Sequence, residues 1–146
     1  ESNELVGVID QLLQHNDICL VNENDALTHE EIAFGDNDTL GAHVAALLQQ
    51  KKLVTDGVRF VILSDIDGVY QDKDDPTTVL REINNLQELK HIAHGTSSEY
   101  GTGGMATKFQ AAHITLGAGV ETWIGKGKRD NVIQDLFDGE SGTHFL

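Results

Sequence analysis

Hydrophobic residues in this chain alternate between helical spacing and short continuous runs. In the first segment they recur every three or four positions, which predicts an amphipathic helix over residues 3–14. Its apolar face comprises Leu5, Val8, Ile9, Leu12 and Leu13. A continuous apolar run at residues 18–21 follows, and such a run is typical of a strand buried on both faces. The chain is therefore predicted to open with a helix followed by a strand.

The same alternation continues along the rest of the chain. A second helix is predicted to start at Asp38, a good N-cap residue type, and to end near Lys51 and Lys52. The strongest strand signal covers residues 58–63 and stops at Ser64. Further strands are predicted at residues 120–124 and 144–146, and further helices at 86–93, 105–116 and 132–137.

Strands that alternate with helices, without the turn signals of hairpins, predict right-handed crossovers and a mainly parallel sheet. We therefore expect an α/β fold, a three-layer αβα sandwich in which residues 1–146 form one domain. Ligands of such sheets bind beyond the carboxyl ends of the strands. Polar segments follow the predicted strands at those ends, at residues 22–25, 35–38 and 64–68. These segments are the first candidates for a binding site.

Composition narrows the class of partner. The formal net charge of −14 repels nucleic-acid backbones and anionic lipid, so neither nucleic acid nor a membrane surface is an expected partner. With Cys19 as its single cysteine, the chain has neither an intramolecular disulfide nor a cysteine-based zinc site, and we interpret Cys19 as a buried small hydrophobe. No apolar stretch approaches 18 residues. We expect a cytoplasmic protein.

The most informative segment is the glycine-rich stretch at residues 101–108, GTGGMATK. Glycines let backbone N–H groups approach a ligand closely, and the start of the following helix favours an anion. Lys108 lies about one turn into that helix, where its ammonium could reach a phosphate. The segment is not a Walker A loop, because Phe109 follows the lysine. On the pattern alone, an ordinary turn with a solvated lysine is an equally good interpretation.

Two polar strings form a second constellation, at residues 22–25 (NEND) and 35–38 (GDND). Asparagine both donates and accepts hydrogen bonds, which suits a ligand that carries an ammonium and a carboxylate. The alternative is that Asp and Asn gather here because they stabilise turns and helix caps. Residues 36–38 and 65–68 resemble parts of a calcium-binding loop, but neither segment has the ligand pattern of an EF-hand, and we predict no metal site.

Taken in order, these segments resemble the glutamate 5-kinases of the amino-acid kinase family. The resemblance spans essentially the whole chain, and the ordered set of motifs is far more specific than any one of them. The matching segments are residues 21–25 (VNEND), 34–38 (FGDND), 64–65 (SD), 67–70 (DGVY), 101–108 (GTGGMATK) and 142–145 (GTHF).

The resemblance implies transfer of the ATP γ-phosphoryl group to the side-chain carboxylate of L-glutamate, the first step of proline biosynthesis, with Mg²⁺ accompanying the ATP. The implied partners are therefore these two small molecules, and a homo-oligomer is expected for the full-length protein. The resemblance implies catalytic roles for Lys108 and Asp38, glutamate binding by Asn22, Asp25, Asp36 and Asn37, and nucleotide binding by Ser64, Asp65, Thr102, Gly103, Gly104, Met105, Ala106, Thr107 and Lys108.

One departure from the family pattern sets the alternatives. The family begins with a strand that carries a lysine and a Gly-Ser-Ser turn, and nothing in this chain matches it. The resemblance therefore implies the C-terminal part of a kinase domain, incomplete at the N-terminus. Three other hypotheses stay open. The chain could be a non-catalytic nucleotide-binding fragment, or another amino-acid kinase that acts on acetylglutamate, aspartate, carbamate or a nucleoside monophosphate. The third is a plain acidic α/β domain without an ATP site.

Overall fold

A computed structural model of the chain describes residues 2–22, 36–72, 74–84 and 104–146. This part of the chain contains four helices and six strands, numbered here in chain order. The helices are α1 (Ser2–Gln14), α2 (Asn37–Lys51), α3 (Met105–Gly117) and α4 (Val132–Phe137). The strands are β1 (Arg59–Ser64), β2 (Val69–Tyr70), β3 (Val79–Leu80), β4 (Glu82–Ile83), β5 (Glu121–Lys126) and β6 (Thr143–Phe145).

Four strands form the central sheet in the order β1-β5-β6-β4. Strands β1 and β5 are parallel, with Arg59 opposite Glu121 and Ser64 opposite Lys126. Strands β4 and β6 are also parallel, whereas β5 and β6 are antiparallel. The prediction of an α/β fold with a mainly parallel sheet is confirmed.

Strands β2 and β3 form a separate antiparallel pair. The sequence analysis did not predict this hairpin, because residues 71–78 join its strands and no two-residue turn signal marks it.

Helices cover both faces of the sheet. Helices α2 and α3 pack against each other and against β1 and β5, while α4 also packs on β5. Side chains alternate along β5: Ile124 lies in the core cluster with Phe109 of α3, and Trp123 contacts Phe137 of α4 edge to face. The two sets of helices therefore lie on opposite faces, as the predicted three-layer arrangement requires.

Small residues allow the helix layer to pack closely. Ala42 of α2 and Ala111 and Ala112 of α3 are fully buried in the same cluster. The larger side chains of the cluster come mainly from the sheet: Ile62, Ile83, Ile124 and Phe145. Burial of these aliphatic and aromatic side chains is the main term that holds α3 and α2 on the sheet.

The connectivity determines where the helices begin. Helix α2 leads into β1 and α3 leads into β5, and these two strands run in parallel. Each helix packs against the sheet and returns to the start of its strand, so the N-termini of α2 and α3 lie at the carboxyl edge of the sheet. Ligands of open α/β sheets bind at that edge.

Two local predictions are wrong. Residues 18–21 form no strand: the side chains of Ile18 and Leu20 are 96% and 94% exposed, and Cys19 is only partly buried. A strand buried on both faces needs neighbours on both sides, and no paired strand within the described residues contacts this run. The N-cap of α2 is Asp36 rather than Asp38, because the Asp36 carboxylate accepts the backbone N–H of Thr39 at 2.7 Å.

The remaining elements divide into three groups. Helices α2, α3 and α4 and strands β1, β5 and β6 agree with the predictions to within a few residues. Helix α1 is also present, but of its five predicted core residues, all of them described, only Ile9 is buried. The helix predicted at residues 86–93 lies outside the described residues. None of the described helices is long and apolar enough to cross a membrane.

Candidate functional site

A buried ion pair joins the first turns of α2 and α3. The Lys108 Nζ donates to Asp38 Oδ2 at 2.9 Å, and the two side chains are 11% and 26% exposed. The residues are 70 positions apart in the chain, so the pair depends on the packing of α2 against α3. A lysine that donates to a carboxylate is held in a fixed position, which helps it to bind an anionic ligand.

The start of α3 positions Lys108. Gly104 is the N-cap and supplies no side-chain hydrogen bond to the first turn. The Thr107 hydroxyl donates to the Gly104 carbonyl at 2.8 Å, which closes the turn just before the lysine. The N–H groups of a first turn without a side-chain cap favour a negatively charged ligand. Lys108 and this helix terminus therefore place positive charge in the same region.

The start of α2 separates the roles of two carboxylates. Both carboxylate oxygens of Asp36 bind Thr39, one through its backbone N–H and the other through its hydroxyl at 2.8 Å. Asp36 therefore caps the helix, which leaves Asp38, two residues further on, to pair with Lys108. Spacing alone could not show which of the two carboxylates caps the helix, because Asp is a good N-cap residue at either position.

A third group of polar atoms lies where β1 ends. The Ser64 hydroxyl donates to Asp65 Oδ1 at 3.1 Å, and the Gly127 backbone N–H donates to the Ser64 carbonyl at 2.8 Å. The latter bond ties the loop after β5 to the end of β1. Ser64 and Asp65 therefore lie at the carboxyl edge of the sheet, where the sequence analysis expected them.

The structure thus brings together part of the predicted set. Lys108 and Asp38 are in contact, and Gly104, Met105, Ala106 and Thr107 occupy the turn before the lysine. Asn22 and Asn37 are exposed. Asp25, Thr102 and Gly103 lie outside the described residues.

One residue of this edge was missed. Lys126, the last residue of β5, pairs in register with Ser64, and its Nζ lies 3.8 Å from Asp67 Oδ2. A lysine two residues after a predicted strand is the signal that could have drawn attention to it.

No group of three or more His, Cys, Asp or Glu side chains could hold a metal ion within residues 2–22, 36–72, 74–84 and 104–146. The carboxylates described above instead bind a helix terminus, a lysine or a serine hydroxyl. Their arrangement suits the positioning of cations and hydroxyls for an anionic ligand.

Comparison with known proteins identifies the family. Residues 3–126 match the amino acid kinase family over most of the chain. This chain belongs to the amino acid kinase family. Membership agrees with the mainly parallel sheet.

Individual members of the family resemble the chain over nearly its whole length. It is 41% identical over 145 residues to the glutamate 5-kinase of Desulfitobacterium hafniense, a match that covers 96% of this chain and 37% of that protein. It is 41% identical over 140 residues to the glutamate 5-kinase of Clostridium acetobutylicum, covering 92% of this chain and 50% of that protein. The chain thus spans half or less of the length of these relatives.

A solved structure supports the fold. The carbamate kinase of Giardia lamblia bound to AMP-PNP superposes with a TM-score of 0.65 at 22% identity, over 96% of this chain and 48% of that protein. At this identity the likeness shows the amino acid kinase fold and carries no information on substrate.

Proposed function

We propose that this chain is the nucleotide-binding, catalytic part of a glutamate 5-kinase, which transfers the ATP γ-phosphoryl group to the side-chain carboxylate of L-glutamate. The observation that carries the catalytic part is the buried Lys108–Asp38 pair at the carboxyl edge of the sheet. The choice of glutamate rests on the relatives that are 41% identical and are glutamate 5-kinases. As part of the same proposal, the protein acts in the cytoplasm, serves proline biosynthesis and forms a homo-oligomer.

Phosphoryl transfer requires mainly positioning and charge neutralisation at the moving group. In the proposed mechanism Lys108 approaches the oxygens of the transferring phosphoryl group, where negative charge is spread in the transition state. Asp38 is a positioning residue that holds the ammonium in place at 2.9 Å. A preorganised cation of this kind stabilises the transition state without reorganising at the moment of reaction.

The substrates are assigned to the segments around this pair. The nucleotide is proposed to bind residues 102–108 together with Ser64 and Asp65. Glutamate is proposed to bind Asp25 and Asn37, with Asn22 and Asp36 nearby. The described residues contain no cluster of metal ligands. In this proposal Mg²⁺ accompanies the ATP phosphates as part of the substrate, and none of the described residues is assigned to it.

The test is Lys108→Ala in the natural protein that carries residues 1–146, assayed for glutamate-dependent formation of glutamyl phosphate by hydroxamate capture. Loss of one preorganised electrostatic donor is expected to lower kcat by about 10²–10³-fold. Lys51→Ala is the matched control. The substitution removes the same charge, but Lys51 is an exposed lysine at the end of α2.

Two outcomes would contradict the proposal. A change confined to KM would make Lys108 a binding residue only. Nucleotide binding by the unmodified protein without any glutamate-dependent turnover would support a non-catalytic nucleotide-binding module instead.

A further inference from the structure

A recess of about 340 Å³ opens at the carboxyl edge of the sheet, between the β2–β3 hairpin and the loops that flank β5 and β6. Its volume lies in the range of small-molecule sites. The lining residues that matter here are Asp67, Thr77, Arg81, Lys126, Arg129 and Ser141. None of them belongs to the set that we assign to ATP or glutamate, so only the choice of the nucleotide as the source of the bound group rests on the proposed function.

The recess concentrates positive charge in an acidic protein. The chain has ten lysines and arginines and a net charge of −14, yet Arg81, Lys126 and Arg129 all line this one cavity. Among the residues that the structure describes, Asp67 is the one carboxylate in the lining. Arg81 comes from one segment of the chain, and Lys126 and Arg129 come from another. Asp67 and Asp135 offset part of the repulsion between these cations, and an anion between them would reduce it further.

The existing contacts of these cations leave donor capacity for a ligand. The Lys126 Nζ is 3.8 Å from Asp67 Oδ2, which is too long for a hydrogen bond. Arg81 Nη1 donates to the Gly142 carbonyl at 3.4 Å, and Arg129 Nε donates to Asp135 Oδ2 at 3.0 Å. Each of these bonds uses one of the five donors of a guanidinium.

A buried hydroxyl is the second, independent indication. The Ser141 Oγ is shielded from solvent and has no hydrogen-bond partner. An unsatisfied buried polar group costs free energy, and few native structures retain one without a reason. Ser141 also lines the recess, so its hydroxyl would gain a partner if a rotation about the Cα–Cβ bond exposed the shielded Oγ to a ligand oxygen bound there.

We propose that this recess binds the phosphate group of a small molecule. Arg81, Arg129 and Lys126 neutralise its charge, and the Ser141 hydroxyl donates to one of its oxygens. Arginine guanidinium groups match phosphate oxygens in geometry as well as in charge, which favours a phosphate over a halide. The group has two possible sources, the nucleotide itself and a separate phosphorylated molecule, since Lys126 lies beside Ser64 at the end of the sheet.

The first experiment measures the binding of inorganic phosphate by calorimetry in the natural protein that carries residues 1–146. Lys126→Gln is expected to raise the Kd about tenfold, because it removes one charge-assisted contact. Lys128→Gln is the matched control: it removes the same charge from an equally exposed class of side chain two residues further on, but Lys128 does not line the recess. Absence of phosphate binding, or equal effects of the two variants, would overturn the proposal.

Ser141→Ala provides a test with two readouts. If the hydroxyl serves the ligand, the Kd for phosphate should rise several-fold while the Tm of the ligand-free protein stays the same or rises, since an unsatisfied group has been removed. A lower Tm with unchanged phosphate affinity would show that Ser141 has a structural role only, and would contradict its part in the proposal.

Two further arms identify the source of the bound group. Lys108→Ala should leave phosphate binding intact; loss of binding in this variant, but not in Lys126→Gln, would place the phosphate at the Lys108 site and overturn the proposal. If ATP displaces phosphate and Lys126→Gln weakens both ligands, the recess binds a phosphate group of the nucleotide. If both bind at once, it binds a separate phosphorylated molecule.

Discussion

His144 stacks on Trp123 within the sheet, with ring centroids 4.2 Å apart and ring planes 7° from parallel. Its Nε2 is buried without a hydrogen-bond partner, and Glu121 Oε1 lies 3.9 Å away, beyond hydrogen-bond distance. Burial lowers the pKa of His144, while the charges of Glu121 and Glu82 act in the opposite direction and offset part of that effect. The fold therefore favours the neutral imidazole.

This preference makes His144 a source of pH-dependent stability. A histidine whose pKa is lower in the folded state stabilises the fold above its ordinary pKa of 6.5, and that contribution is lost as the pH falls through 6.5 towards the folded value. His144→Phe keeps an aromatic ring against Trp123 but cannot bind a proton. We predict that this variant is at least as stable as the parent at pH about 7.5. On acidification it should lose less stability than the parent does.

Urea unfolding at pH about 7.5 and about 5 measures the effect. His113→Phe is the matched control, because His113 is exposed on α3. If His144→Phe and the parent lose the same stability on acidification, His144 is protonated to the same extent in the folded and unfolded states, and the prediction is wrong.

At the level of elements, the turn between α4 and β6 depends on a glycine. Gly142 has φ of +70°, in the left-handed region, and a Cβ at this position would overlap the Leu136 side chain and the Ile124 carbonyl oxygen. Gly139 at the end of α4 has a similar φ of +75°, but a Cβ there would contact nothing within 4 Å. A side chain at Gly139 would therefore cause backbone strain alone, whereas a side chain at Gly142 would cause both backbone strain and steric overlap.

We predict that Gly142→Ala lowers the free energy of unfolding by about 3 kcal/mol, the sum of left-handed strain and overpacking. Gly139→Ala is expected to cost only about 1 kcal/mol, because strain acts alone. Denaturant unfolding of both variants checks the difference. Equal losses would show that Leu136 moves aside without cost.

The sequence predicts these elements to different degrees, for physical reasons. Helices α2 and α3 and strands β1 and β5 carry enough apolar residues to form their elements and bury those residues against one another, so their residue pattern and their environment agree. The run at residues 18–21 has the pattern of a buried strand, but a pattern cannot supply the neighbouring strands that bury it. The same limit applies to the site: the glycine-rich motif predicted Lys108, whereas only the packing of α2 on α3 shows that Asp38 reaches it.

At the scale of the whole molecule, apolar surface remains uncovered. Ile18 and Leu20 are 96% and 94% exposed, and Val8 of the preceding helix is 55% exposed. Adjacent apolar side chains with this exposure are typical of a surface that contacts another part of a protein. The chain matches 37% of the Desulfitobacterium hafniense glutamate 5-kinase, so the family's longer members have the chain length to cover such a surface.

We therefore predict that residues 1–146, prepared alone, self-associate through the run at residues 18–21. Substituting Ile18→Lys together with Leu20→Glu leaves the net charge unchanged and removes the apolar surface, so the variant should sediment mainly as a monomer at concentrations where the parent forms larger species. The control pair Leu63→Lys and Leu146→Glu makes the same chemical changes at two other exposed residues, which are 50% and 45% exposed. Sedimentation velocity over a range of concentrations compares the association of the parent, the Ile18–Leu20 variant and the control variant. If the control pair dissociates the assembly and the Ile18–Leu20 pair does not, the association surface lies on the sheet face near α4 and the C-terminus, and the run at residues 18–21 has no part in it.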